Sequence, residues 1–286
     1  MGNCSCKNSV QENLMSPLGE EKLSSLLDTD DYKFYTRQFG KVLSNSNLKS
    51  AENNLMKYID NSKKLQFEKV RWLNGGISTL EISILKQFKE LQVIQFEFKV
   101  NKDYSFDRAY HILSAIKYVQ RDYTKSEEFA NEAIKWNIFD FDDMYLLTKI
   151  AEFEENNPNK ANEIFFERIY PLIHMPNDLA KFYINLAKHF FIRKEYELSY
   201  ACYKYGLKFN EDKDFQIEAD KLRCFPQIMD YEYMSDPEIV SILERSNIPL
   251  NISNEMVNTL IKIHGNCSFI IATLIEKIFA GLNLEI

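Results

Sequence analysis

Residues that interrupt regular structure are scarce in this 286-residue chain. It has eight Gly and seven Pro, well under the roughly 12% that an average soluble protein carries. That scarcity excludes a collagen-like or low-complexity chain, argues against a turn-rich sandwich or barrel, and favours helices joined by short turns. A cationic surplus is also lacking: 35 Lys and Arg stand against 42 Asp and Glu, for a net charge of −7. No overall basic field exists to hold nucleic acid. The longest stretch without a charged side chain, Ile263 to Ile275, is 13 residues, short of the ~18–20 that a spanning helix needs. The five cysteines are an odd set. Cys202, Cys224 and Cys267 stand singly in helical-looking segments, which reads as buried, inert thiols in a reducing compartment.

Short catalytic motifs are missing as well. There is no Gly-rich phosphate loop, HExxH, GxSxG or CxxC. His111, His174, His189 and His264 are far apart, and none has a Cys, Asp or Glu at metal-ligand spacing. His111 and His189 read as partly exposed residues of repeated helices. Asp140, Asp142 and Asp143 precede a helix and read as its cap and first turn. The expectation is a protein with no catalytic residue, no metal and no cofactor.

What is present begins at the amino terminus, MGNCSCKN. It resembles the N-myristoylation signal, with Gly2 exposed once Met1 is removed; Cys6 stands where the strict form has Ser or Thr, and Ser5 is beside it. One myristoyl chain gives only marginal binding, so a second signal is needed. Lys7 is the only base in the first 21 residues, which leaves S-palmitoylation of Cys4 and Cys6. The resemblance implies a lipid anchor on the cytoplasmic face of a membrane, with residues 1–25 as a flexible tether.

Residues 26–100 read as an N-terminal helical segment. Trp72-Leu73-Asn74-Gly75-Gly76 is a turn signal. Between Ile77 and Val100 two periods compete. Leu80, Ile84, Phe88 and Leu91 fall at helical intervals, whereas Ile94, Phe96, Phe98 and Val100 alternate with polar residues as in a strand. Helix is the expectation, because no other segment offers a sheet partner.

Residues 101–212 carry an internal repeat. Residues 109–137 and 182–210 align without gaps. The matches are Tyr110 with Tyr183, Leu113 with Leu186, Ser114 with Ala187, Asp122-Tyr123 with Glu195-Tyr196, Ser126 with Ser199, Ala133 with Gly206, and Trp136-Asn137 with Phe209-Asn210. The offset of 73 is twice a period of about 36, and residues 144–171 supply an intermediate copy with Tyr145, Ala161 and Phe165 in matching places. The pattern resembles the tetratricopeptide repeat, a 34-residue helix–turn–helix unit. That resemblance implies an all-α fold: a solenoid of antiparallel helix pairs wound into a right-handed superhelix. Small residues at 114/187 and 126/199 would let paired helices approach closely, and Tyr110, Tyr183 and Tyr203 would fill the gaps between pairs.

In that family the first helix of each repeat lines a concave face that binds a peptide or partner helix. Carried onto this chain, the face comprises His111, Ala115 and Tyr118 from the first copy. The middle copy contributes Leu146 and Ile150, and the third Lys181, Asn185, Lys188 and Ile192. Asn185 and Lys188 sit where some members clamp a carboxylate, but His111 and Ala115 replace the basic or amide groups the first copy would need. Residues 213–286 read as helices that continue or cap the array. Asp236-Pro237-Glu238 and Ser253 serve as helix starts, and HGNCSF (264–269) as a turn similar to one in the helical subdomain of signalling ATPases. The function expected is a membrane-anchored, non-enzymatic adaptor for a protein or peptide partner, with no nucleic acid. The alternatives are a helical arm of a signalling ATPase or kinase system and a peptide-sensing regulator, although no basic recognition helix lies in the first 60 residues.

Overall fold

The computed structural model describes residues 48–60, 71–74, 77–101, 105–209, 216 and 225–264. Gly2, Cys4 and Cys6, the rest of the tether, Cys224 and the segment from Gly265 onward, which holds Cys267, lie outside the described residues. Helix dominates: α1 Leu48–Ile59, α2 Thr79–Glu90, α3 Phe106–Val119, α4 Tyr123–Trp136, α5 Phe141–Lys149, α6 Pro158–Glu163, α7 Pro176–Ile192, α8 Tyr196–Gly206, α9 Pro226–Met229, α10 Asp236–Arg245 and α11 Asn254–His264. α5 runs on through a π-helical turn, Ile150–Glu154, and α6 through another, Ile164–Ile169.

Two four-residue strands depart from the sequence expectation. β1 (Arg71–Asn74) pairs in parallel with β2 (Phe98–Asn101), in the register Arg71 to Phe98 through Asn74 to Asn101. Trp72, Leu73 and Asn74 are therefore strand rather than turn, and the segment 77–100 divides into α2 and the approach to β2. Both periods in that segment were real, and each governs its own half. Ile94, Phe96, Phe98 and Val100 are half-buried, while Gln95, Glu97 and Lys99 are exposed. The missing sheet partner was β1, whose Leu73 is fully buried; four residues are too few to show an alternating period. α2 starts on a capping box, with Ser78 Oγ accepting from Glu81 N–H at 3.1 Å.

α3 and α4 form a helical hairpin about the turn at Gln120–Asp122, with contacts nested around it. Ser126 Oγ–H donates to the Ser114 carbonyl at 2.9 Å; the rings of Tyr110 and Phe129 lie 6.1 Å apart, and those of Phe106 and Trp136 5.0 Å apart. α7 and α8 repeat this about Arg193–Glu195. Ser199 Oγ–H donates to the Ala187 carbonyl at 2.7 Å, and the Phe191–Tyr196 and Tyr183–Tyr205 rings lie 5.5 and 5.0 Å apart. The two serine bonds occupy equivalent positions of the aligned copies. Each uses a small residue where the helices approach closely and satisfies its hydroxyl inside the core.

The turns recur too. Arg121, Asn156 and Lys194 take positive φ of 62°, 50° and 64°, as do Gln92 (58°) and Asn247 (55°), each two residues past a helix end. At four of these ends, two backbone bonds close the helix. In the first hairpin Asp122 N–H donates to the Lys117 carbonyl at 2.9 Å and Arg121 N–H to Tyr118 at 3.0 Å. That is a Schellman closure, usually built on Gly; none of the five residues here is Gly.

The core is continuous from β1 and α2 to α11, with a second cluster where α1 packs on α3. Lys117 of α3 pairs with Glu52 of α1 at 2.7 Å. At the other end, tyrosines tie the hairpin to later segments. Tyr200 donates to the Glu232 carbonyl at 3.1 Å, Tyr205 to Leu250 at 3.0 Å, and Tyr183 to Pro249. α11 packs against α2, across some 170 residues of sequence, and β1 packs against α4. The sequence reads Asp236 as the cap of α10, but the cap is one residue earlier: Ser235 is the N-cap, with its N–H donating to Glu238 at 2.8 Å, and Asp236 and Pro237 lie in the first turn. Ser253 caps α11 as expected, accepting from Met256 N–H at 3.2 Å. Among the described residues no helix is long and apolar enough to cross a membrane.

Candidate interaction face

The helices α3, α5 and α7 are buried over most of their circumference, and each leaves one narrow stripe accessible. On α3 it runs Arg108, His111, Ala115, Tyr118 and Val119. On α5 and its π turn it runs Asp142, Lys149 and Phe153, and Leu146 between them is buried. On α7 it is Lys181, Asn185, Lys188 and Ile192. Steps of three and four residues keep each stripe on one helical face.

The stripes lie side by side because the helices are pinned to one another. Asp143 of α5 is fully buried against α3. Its Oδ1 accepts from Ser114 Oγ at 3.1 Å and lies 3.2 Å from His111 Nδ1. At the far end, the carboxylates flanking Phe153 reach in opposite directions. Glu154 accepts from the Tyr123 hydroxyl at the start of α4, and Glu152 bonds His189 Nδ1 on α7. Phe153 is thus held between the ends of α3 and α7.

Seven of the nine residues expected on this face take such positions: His111, Ala115, Tyr118, Lys181, Asn185, Lys188 and Ile192. Leu146 and Ile150 do not. They are 7% and 1% exposed and belong to the core, while Lys149 and Asp142 occupy the stripe. The error has a structural cause. The first helix of the middle copy matches that of the first copy at an offset of 34, as Arg108 and Asp142 or Ala115 and Lys149 show. The turns and second helices match at 35, as Arg121 and Asn156 or Ser126 and Ala161 show. The π turn at Ile150–Glu154 takes up the extra residue. An ungapped alignment therefore points one residue, about 100° of helix rotation, away from the true stripe.

The histidines also sort differently from expectation. His189 is fully buried rather than partly exposed. Burial and the neighbouring Arg193 push its pKa down to about 4. The neutral ring donates Nδ1–H to Glu152, while Nε2 faces Arg193 at 3.4 Å. His111 behaves in the opposite way. Burial opposes its charge, but Asp143, Asp140 and Asp142 outweigh burial and raise its pKa to about 10. Around it sit carboxyls that burial pushes up. Asp107 rises to about 6 and Asp140 to about 7, where Asp142 and Asp143 add repulsion. Asp140 still caps α5, accepting from Asp142 N–H at 3.3 Å. The aspartates read as a helix start are therefore also the counter-charge of His111, which only the packing of α3 on α5 creates.

His174 is buried against Phe139, with rings 5.1 Å apart. Cys202 is free and buried, and burial holds its thiol well above its ordinary range. No group of three or more metal-ligating side chains is arranged to hold an ion among the described residues.

A cleft of about 540 Å3, which the sequence does not signal, opens between α4 and α6. It is lined by Glu127, Leu147, Lys160, Ile164 and Arg168 among others. Its cations are engaged: Lys160 with Glu127 at 2.8 Å and Glu155 at 3.0 Å, and Arg168 with Asn131 at 3.2 Å. Searches of protein-family models, curated proteins and solved structures found no match to this chain.

Proposed function

We propose that the protein is a membrane-anchored, non-enzymatic adaptor that binds a peptide or protein segment across α3, α5 and α7. In this reading residues 101–212 are a tetratricopeptide-like solenoid of antiparallel helix pairs, and Gly2, Cys4 and Cys6 carry the lipid that holds the tether to the cytoplasmic face of a membrane. The supporting observation is the recurrence of one accessible stripe on three consecutive first helices, held in fixed relation by Ser114–Asp143 and Glu152–His189. A surface repeated on rigid helices and open to solvent suits recognition of an extended segment, with each helix contributing one set of contacts.

The test has two arms in the native cell. Gly2→Ala moves the protein from the membrane pellet to the soluble fraction; a variant that still pellets ends the lipid reading. A photo-crosslinking side chain at Ala115 captures a partner that Lys188→Glu loses, and the same group at Lys204 on α8 does not. Equal capture at both positions ends the groove reading.

A further inference from the structure

Two carboxyl oxygens are buried without a donor where α3 meets α5. Asp107 is 1% exposed and Asp143 fully buried. Asn137 and the Arg108 backbone engage the Asp107 carboxyl, but its Oδ1 has no partner among the described residues. Asp143 turns Oδ1 to Ser114 and His111, and its Oδ2 has none. Asp140, in the turn between α4 and α5, and Asp142, in the first turn of α5, bring two more carboxyls to the same seam. Arg108 and His111 of α3 are the cations that face these groups. From α1, Tyr58 packs its ring 5.3 Å from that of Phe106, and its hydroxyl accepts from Ser105 N–H at 3.0 Å. On α5 the buried Tyr145 faces Asp142 and, from α7, Asp178. A carboxylate with a buried, unpartnered oxygen is costly to ionise, and carboxyls that share one site cannot all ionise cheaply.

We propose that the seam between α3 and α5 is a proton-operated joint: protons held by Asp107 and Asp140 keep α5 tight against α3, and their loss loosens the two helices from each other. This device is independent of what the face binds. Both helices carry an accessible stripe, so the joint also governs how those stripes sit. The direction with pH follows from the folded and unfolded values. Burial, with repulsion from the neighbouring aspartates, raises Asp107 to about 6 and Asp140 to about 7, whereas an opened seam returns them to an ordinary value of ~4. The joint is therefore tightest below pH ~4 and loosens as pH rises through 6 and 7. His111, held at about 10 by its aspartates against the effect of burial, stays charged across that range. It keeps Asp143 in place and leaves Asp107 and Asp140 as the groups that titrate.

Amide hydrogen exchange of the full chain from pH 5 to pH 8, corrected for the chemical exchange rate at each pH, tests the joint. Protection of α3 and α5 is expected to fall by about tenfold or more over that range, since each pH step below a folded value changes the opening equilibrium up to about tenfold. Protection of α8, which lies outside the seam, is expected to change by less than about threefold. Asp107→Asn with Asp140→Asn should remove the fall and keep α3 and α5 at pH 8 as protected as at pH 5. Asn caps a helix as well as Asp, so the start of α5 is retained. Asp107→Asn alone is the second variant and should show a smaller fall than the unaltered chain. Protection of α3 and α5 that stays constant with pH overturns the proposal. So does a fall shared equally by α8, which would mark global destabilisation, and so does a folded Asn variant that keeps the full pH dependence.

Discussion

Gly206 sits where a methyl group has no room. A Cβ there would stand 2.9 Å from Tyr183 Cβ and 3.3 Å from the Ala180 carbonyl oxygen. Gly206→Ala is expected to lower stability by roughly 1–3 kcal/mol as α8 is forced off α7, read by thermal or urea unfolding. Lys194 presents the reverse case: a side chain at φ 64°, in a closure that favours Gly. Lys194→Gly is expected to raise stability by about 0.5–1 kcal/mol through relief of left-handed strain, read as an increase in Tm. The buried aspartates make a pH prediction. Asp107, with its pKa raised to about 6, holds its proton more tightly folded than unfolded, so its contribution is present below the unfolded pKa and lost as pH rises through 6. His111, raised to about 10, likewise contributes fully below its ordinary pKa and less as pH climbs through 10. Asp107→Asn should therefore match wild type at pH 4 and exceed it at pH 8, by on the order of 1–3 kcal/mol. Equal pH profiles for the two proteins would discount the ionisation of Asp107.

The unit of the structure at the next scale is the helical hairpin, and two hairpins 73 residues apart share a turn conformation and a serine-to-carbonyl bond. The middle copy differs by its π turns, and it is also where sequence matching loses a residue. His189 on α7 joins that copy to the next through Glu152. His189→Phe would strand a buried carboxylate and is expected to cost about 3 kcal/mol; removing both partners, as in His189→Phe with Glu152→Met, should recover much of it. A double-mutant cycle by denaturant unfolding reads the coupling. The wild-type ring, depressed to about 4, contributes stability above its unfolded pKa and loses it as pH falls towards 4, so the His189→Phe deficit should shrink in acid.

Across the whole molecule, the described residues form more than a row of neighbours. α11 packs on α2, and one apolar cluster extends from Leu73 and Ile84 to Met256 and Leu260. Leu260→Ala is expected to cost roughly 2–4 kcal/mol and to lower amide-exchange protection in α2 as well as α11. A loss confined to α11 would mean that the two ends fold independently. The contact couples segments that sequence order separates, so a ligand across α3, α5 and α7 would bind a surface whose ends are braced.

Scarce Gly and Pro and three-four apolar spacing are local properties, so the dominance of helix is legible in the residues alone. The hairpin repeat is legible too, because close helix approach demands small residues at Ser114, Ser126, Ala187, Ser199 and Gly206 wherever the contact recurs. Seven of the nine residues expected on the face follow from the same periodicity, and Leu146 and Ile150 do not. The remainder depends on contacts between distant segments. Ile150 lies in the core because a π turn shifts the register, and no residue type marks such a turn. Ile94 to Val100 approach a strand because β1 was there to pair, and pairing depends on a partner outside the segment. His189 is neutral because burial and Arg193 oppose its charge, and His111 is charged because three aspartates outweigh its burial. Charge state is set by neighbours in space, and those neighbours come from helices that meet only when the chain folds.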